Sequence, residues 1–321
     1  MRSFWEGRPE IERDLEEVRR VILGRSETDD PGVREAIEQL LASSGKMLRP
    51  GFVLLASRFG RPDRDRMIRI GAAVEMLHMA TLVHDDIIDG ARMRRGVATL
   101  HTVKGPRVAV LAGDWLLATS FSLVSDLYDV ENSAALARLV ARICGSEISQ
   151  SADRFIVHTS IRRYLRRIAG KTAALFALSL YAGAVESDCP PGLCATLRRL
   201  GYCLGMGFQI VDDILDFRHE GAATGKPTGS DLAQGVVTLP AILVLRDDHG
   251  PLGAAIGACR RSRRAAARAA GLVVRSGGLE KARVYAETFT RRAIAEIERL
   301  PAGAPRDTLR DVTEKLLHRT Y

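Results

Sequence analysis

Two six-residue segments share one pattern. His84-Asp85-Asp86-Ile87-Ile88-Asp89 and Val211-Asp212-Asp213-Ile214-Leu215-Asp216 both contain Asp-Asp-x-x-Asp. On a helix, positions i and i+4 share a face, so Asp85 points with Asp89 and Asp212 with Asp216. Like charges at that spacing repel, and these lie inside the apolar runs 79–88 and 208–217. Removing carboxylates from water there is costly unless a cation compensates. Mg2+ takes hard oxygen ligands and is held by one or two carboxylates together with substrate phosphates. Two such clusters facing each other would make a multi-metal clamp for a diphosphate. One triplet alone reads equally well as a solvated helix end, and its repetition favours the clamp. An EF-hand is excluded, because neither segment has that loop's alternating ligands and closing Glu.

Positive charge supplies the other half of the signal. Ser44-Gly45-Lys46-Met47-Leu48-Arg49-Pro50 sets Lys46 and Arg49 just before a helix, and Arg94-Arg95-Gly96 follows the first acidic motif. Lys171-Thr172 lies within a helical stretch, and Lys226 lies in the glycine-rich segment after the second motif. Arg grips phosphate oxygens bidentately, whereas Lys acts as a point charge. An isolated Lys or Arg is ordinarily a solvated surface residue; pairing with acidic clusters turns these towards phosphate binding. His78 sits among Met76, Leu77 and Met79, a setting normally read as core. It lies about two turns before Asp85, on the same helix face.

The elements that must position these groups read as helices almost throughout. Apolar residues Ile11, Leu15, Val18 and Ile22 recur at helical spacing behind Pro9. Pro31 and Pro50 mark two further starts, and Pro62 precedes a long helix running to Asp89. More helices are expected over 107–128, 131–152, 160–186, 191–218, 236–247, 258–275, 279–299 and 305–319. Breaks are expected over 90–106, 219–235 and 249–257, which are rich in glycine. Period-2 alternation is nearly absent, so the fold class is all-α. No long Pro/Ser linker interrupts the chain, which predicts one domain over 1–321.

Composition narrows the function classes. The 321 residues carry a formal net charge of +8, with 46% hydrophobic and only 5% aromatic residues. So few aromatics argue against a stacking platform for single-stranded nucleic acid. The basic runs Arg162-Arg163…Arg166-Arg167 and Arg260-Arg261-Ser262-Arg263-Arg264 read as solvated helix faces, and no nucleic-acid module is recognisable. No uncharged apolar run reaches the roughly 18 residues a membrane span needs, and no apolar signal region opens the sequence. Five cysteines without Cys-x-x-Cys spacing suit reduced thiols, so a cytoplasmic location is expected.

Taken in order, these motifs resemble the trans-isoprenyl diphosphate synthases, or polyprenyl synthetases. The likeness runs from about residue 35 to the end. It is carried by both aspartate motifs, Gly45-Lys46-x-x-Arg49-Pro50, Arg94-Arg95-Gly96, Gly170-Lys171-Thr172 and Phe208-Gln209. The resemblance implies an antiparallel helical bundle around a deep central cavity, usually dimeric. It implies that Asp85, Asp86, Asp89, Asp212, Asp213 and Asp216 bind Mg2+, three ions in all, bridging to an allylic diphosphate. Lys46, Arg49, His78 and Arg95 match positions that hold isopentenyl diphosphate. Arg94, Lys171, Thr172, Gln209 and Lys226 match positions around the allylic diphosphate, with Lys171 counted among the catalytic groups.

The implied chemistry is electrostatic. Metal ions make the allylic diphosphate a leaving group, a carbocation forms in an apolar pocket, and the isopentenyl double bond attacks it. A proton then leaves, most simply to the departing diphosphate, so no side-chain base is needed. Catalysis is positioning and preorganised charge. In the resembled family, large residues four or five positions before the first motif stop chain growth early. Here those positions hold Thr81 and Ala80, both small, which predicts a product of about C30 or longer, each opened turn adding about 5.4 Å. Met76, Leu77 or Phe121 could form a lower floor, and a short-chain C15–C20 synthase is the alternative reading.

Three positions depart from the commonest pattern. Ser44 replaces Gly, Met47 replaces an Arg, and Val236 replaces a Lys found in many short-chain members, a form that looks like the long-chain ones. Three competing readings remain. A terpene cyclase has no use for a second diphosphate site at Lys46, Arg49 and His78. A non-catalytic subunit of a heteromeric synthase tends to lose an aspartate motif, and both are complete here; a catalytic subunit with a partner stays open. The basic faces could also help deliver a lipid product to an anionic membrane.

Overall fold

The computed structural model describes residues 4–25, 30–43, 46–94, 96–127, 130–157, 160–218, 229–247, 250–260 and 262–317. In chain order the helices are α1 (Pro9–Arg25), α2 (Pro31–Ser43), α3 (Leu48–Ser57), α4 (Arg64–Ile88), α5 (Leu100–Lys104) and α6 (Pro106–Ser122). They continue with α7 (Val130–Ala152), α8 (Ile161–Ile168), α9 (Ala174–Val185), α10 (Pro191–Leu215) and α11 (Ser230–Ala233). The last are α12 (Leu239–Asp247), α13 (Gly250–Cys259), α14 (Arg263–Arg275), α15 (Gly278–Ile297) and α16 (Ala304–Leu317). Prolines open α1, α2 and α6, where a missing N–H costs nothing. Asp63 caps α4 by accepting from the Arg66 N–H, and Ser160 caps α8 by accepting from the Arg163 N–H.

The chain divides into two compact units, each assembled from two stretches: 1–135 with 178–198, and 136–177 with 199–321. In the first unit α4 is the central element. It packs on α6, α3 and α1, and residues 67–80 are buried apart from Arg69 and His78. The expected stripe of α1 is confirmed: Ile11, Leu15, Val18 and Ile22 are all buried. In the second unit the core joins Tyr164 and Ile168 to Met206, Ile210 and Ile214 of α10, Leu239 and Ile242 of α12, and Ile256, Val273 and Phe289.

Four details differ from the sequence-based expectations. Residues 90–106 are not a plain loop. Met93–Arg94 (β1) and Val97–Ala98 (β2) pair antiparallel, Arg94 opposite Val97, with Gly96 in the turn at φ 84°. That small hairpin and α5 fill the segment. The expected 107–128 helix ends at Ser122 and is followed by turns. Within the glycine-rich stretch 249–257, residues 250–257 are helical, because Leu252, Ala255, Ile256 and Cys259 form a buried stripe at helical spacing that outweighs three glycines. The expected 258–275 helix is therefore two helices, the second capped by Ser262 accepting from the Arg264 N–H. One helical stretch, 161–185, is long and apolar enough to cross a membrane by composition; two-thirds of its most apolar window is buried within the protein.

Candidate active site

The first acidic motif occupies the last turn of α4, with Asp89 as its C-cap. Asp85 and Asp89 are half-buried, one turn apart, while Asp86 is buried. Asp86 turns to the hairpin, where Arg94 grips it bidentately: Nε lies 2.9 and 3.1 Å from the two carboxylate oxygens, and a terminal nitrogen 2.8 Å from Oδ1. The hairpin register delivers this guanidinium, since β1 and β2 fold directly back over the end of α4. Asp86 and Arg94 line a small open cleft together with Ile37, Leu40, Val83 and Leu100.

In the same unit, Lys46 and Arg49 flank Met47, whose backbone is left-handed at φ 44° and ψ 47°. A non-glycine residue there costs about 1–2 kcal/mol. Met47 is nevertheless 2% exposed, so burial of its side chain offsets the strain. Arg49 lies in the first turn of α3 and is half-buried. His78 is half-buried on α4, and its carbonyl accepts the Thr81 hydroxyl at 2.7 Å. Ala80 is buried and Thr81 half-buried.

In the second unit the α8–α9 helix widens into a π-helical turn over Ala169–Ala173, the site of Gly170-Lys171-Thr172. Such turns re-aim side chains and recur at functional sites. Lys171 Nζ pairs with Glu147 Oε1 at 2.7 Å. The Thr172 hydroxyl donates to Gln209 Oε1 at 2.6 Å, and Gln209 Nε2 donates to Asp213 Oδ1 at 2.8 Å. The other carboxylate oxygen of Asp213 accepts from the Tyr164 hydroxyl at 2.7 Å. Burial pushes the Asp213 carboxyl up to about 7, against the two hydrogen bonds that favour its charged form. Burial and the neighbouring carboxyl push the Tyr164 phenol well above its usual range. Asp216 accepts from the Ser230 hydroxyl and from the Asp231 N–H, and Asp212 is exposed.

Each unit thus holds one acidic motif with a similar division of labour. The middle aspartate, Asp86 or Asp213, is buried and held by protein donors. Asp85 with Asp89, and Asp212 with Asp216, keep the i, i+4 spacing predicted from sequence. Among the described residues no three His, Cys, Asp or Glu side chains form a ready-made metal cluster. Arg95 and Lys226 lie outside the described residues. Sequence reasoning missed Tyr164 and Glu147, neither of which carries a motif of its own.

The chain matches the family model for polyprenyl synthetase over residues 30–270. It is 39% identical over 289 residues to heptaprenyl diphosphate synthase component 2 of Geobacillus stearothermophilus, covering 89% of this chain and 90% of that one. Among solved structures, a geranylgeranyl pyrophosphate synthase from Lactobacillus brevis superposes with a TM-score of 0.92 at 33% identity, covering 98% of this chain and 99% of that chain. A polyprenyl synthase from Caulobacter crescentus, complexed with calcium and isoprenyl diphosphate, superposes at 0.89 with 33% identity, covering 97% and 96%. With both acidic motifs in place, Asp86 held by Arg94 and Asp213 by Gln209 and Tyr164, the chain belongs to the polyprenyl synthetase family and is a trans-prenyltransferase.

Proposed function

We propose that this enzyme condenses isopentenyl diphosphate with an allylic diphosphate to make an all-trans polyprenyl diphosphate of about C30 or longer, each turn of open channel adding about 5.4 Å. The observation that carries it is the hydrogen-bonded chain Thr172–Gln209–Asp213–Tyr164, which ties the second acidic motif to the π-helical turn that carries Lys171. Asp85, Asp86, Asp89, Asp212, Asp213 and Asp216 are the carboxylates for Mg2+. Mg2+ held there would supply the positive charge that makes the diphosphate a leaving group. Arg94, Lys171, Thr172, Gln209 and Lys226 orient the allylic diphosphate, while Lys46, Arg49, His78 and Arg95 hold isopentenyl diphosphate for attack. The calcium-bound, isoprenyl-diphosphate-bound relative supports a divalent cation in this role.

Both units act as one synthase domain, consistent with a family match that spans both. A homodimer is supported by Val103, Val110 and Leu111, apolar residues exposed along α5 and the start of α6, Leu111 by 61%. The name of the component 2 relative supports a second reading, a catalytic subunit that works with a different partner chain. The reaction takes place in the cytoplasm, its product passing to a membrane.

The test is a product assay with purified protein, Mg2+, farnesyl diphosphate and labelled isopentenyl diphosphate. A discrete chain of C30 or more supports a self-sufficient long-chain synthase. A C15–C20 product from shorter starters keeps the chemistry and assigns the growth limit elsewhere, and no product favours the partner-dependent subunit. The chain-length assignment has its own check. Ala80 is buried, so Ala80→Phe overpacks the core at about 1–3 kcal/mol. Half-buried Thr81 makes Thr81→Phe the cleaner probe. A shortened product is expected from it; the parent's product would sink the assignment.

A further inference from the structure

The N-terminal residues Phe4 and Trp5 lie far in sequence from the Lys46–Arg49 segment, yet they meet it. Trp5 is 2% exposed. Its indole N–H donates to the Lys46 carbonyl at 2.7 Å. That carbonyl belongs to the peptide entering Met47, the left-handed residue that turns the chain into α3. The indole also rests on α3 itself. A Cβ at Gly51 would stand 2.1 Å from Trp5 Cζ2, so the ring fits there only because residue 51 has no side chain. Phe52 meets the indole edge-on, with centroids 6.2 Å apart. The Phe4 ring lies 5.3 Å from Lys46 Nζ, within cation–π range.

We propose that Phe4 and Trp5 form a latch that positions Lys46 and Arg49 for isopentenyl diphosphate, making Trp5 a positioning residue for that substrate alone. The proposal rests on the reading of Lys46 and Arg49 given above. The physical reasoning is direct. A strained left-handed turn keeps one orientation only when its surroundings over-determine it. Here the indole N–H fixes the carbonyl before the turn, and the indole ring fixes the helix after it. The two cations sit on either side of that turn, so releasing the latch lets them drift relative to each other. Phe4 meets the Lys46 ammonium with its ring face, a contact that orients the cation and carries no opposing charge of its own.

The test is titration calorimetry with isopentenyl diphosphate and, separately, with farnesyl diphosphate in the presence of Mg2+, which requires no turnover. Trp5→Phe keeps an aromatic ring over Gly51 but deletes the donor. Its Kd for isopentenyl diphosphate is expected to rise about three- to ten-fold, the range for loss of one hydrogen bond, with the farnesyl diphosphate Kd unchanged. Gly51→Ala displaces the indole from beneath and is expected to give the same one-sided effect. Should Trp5→Phe fail to fold, Phe4→Leu decides, because it removes the ring against Lys46 and its edge-on contact with Trp5 while keeping the indole donor. Equal weakening of both ligands, or of neither, overturns the latch and leaves Trp5 a core residue. Lys46→Ala separates the two ideas. If it leaves isopentenyl diphosphate binding intact, the reading of Lys46 fails and the latch with it. If it weakens binding while Trp5→Phe and Gly51→Ala do not, only the latch fails.

Discussion

The Tyr164 hydroxyl donates a 2.7 Å hydrogen bond to Asp213 Oδ2, tying α8 to the second acidic motif of α10 inside the core. The remaining oxygen of Asp213 is taken by Gln209. Tyr164→Phe removes one donor and leaves a buried carboxylate oxygen unsatisfied, which costs about 1–3 kcal/mol. We expect a lower Tm and a raised Mg2+ requirement for turnover, since the motif loses the contact that fixes its middle residue. An unchanged Tm with an unchanged Mg2+ dependence would show that Tyr164 is only core filling.

Asp86 and Arg94 make the corresponding pair in the first unit. The carboxylate is buried and the guanidinium is partly exposed, so the pair is screened on one side only. Arg94→Gln strands a buried charge and should destabilise the protein by about 1–3 kcal/mol, below the full cost of breaking a wholly buried pair. Adding Asp86→Asn removes the stranded charge and should recover much of that stability. Activity should not return, because both groups are also part of the proposed diphosphate site. Denaturant melts of the two single variants and the double variant measure the coupling directly. Strictly additive losses would mean that the pair contributes nothing to stability.

Much of this was legible in the sequence, for identifiable reasons. The stripe on α1, the long α4 and the two aspartate motifs follow from helical spacing, which depends only on neighbours along the chain. The role of the middle aspartates was not legible. Nothing in Asp-Asp-x-x-Asp says that Asp86 will meet an arginine on a hairpin or that Asp213 will meet a tyrosine on another helix. The π-helical turn at Lys171 was invisible too, because one extra residue in a turn leaves no compositional mark. In 249–257 glycine was weighted as a breaker, and the stripe of Leu252, Ala255, Ile256 and Cys259 prevailed.

The cysteines give a prediction in pH. Cys144 is exposed, whereas Cys189, Cys194, Cys203 and Cys259 are buried. Burial pushes the Cys189 thiol up to about 11 and raises the other three buried thiols as well. A raised thiol pKa means less thiolate at a given pH, and the thiolate is the reacting form. At pH 8 the folded protein should therefore alkylate rapidly at Cys144 alone, and all five should react once it is unfolded. Raising the pH towards 10 should still leave Cys189 slow. Fast labelling of Cys189 in the native state, read by peptide mass mapping, would contradict its burial.

Gly201, Gly205, Gln209 and Asp213 follow one another at intervals of four along α10, so a glycine seam runs into the site on one helix face. A Cβ at Gly201 would stand 2.5 Å from the Phe176 carbonyl oxygen, and one at Gly205 2.6 Å from Ala173 Cα. The seam lets α10 approach the π-helical turn closely enough for Gln209 to reach Thr172 at 2.6 Å. Gly205→Ala gains about 1 kcal/mol of helix propensity. It meets backbone rather than a yielding side chain, and overpacking of that kind costs about 1–3 kcal/mol. The net expectation is a lower Tm, with a higher KM for the allylic substrate as Thr172 and Gln209 part. Gly257 on α13 is the matched control, since nothing lies within 4 Å of a Cβ placed there. Gly257→Ala should raise stability by about 0.5–1 kcal/mol through propensity alone. If both alanines stabilise the protein, close approach at Gly205 is not what holds the Thr172–Gln209 contact.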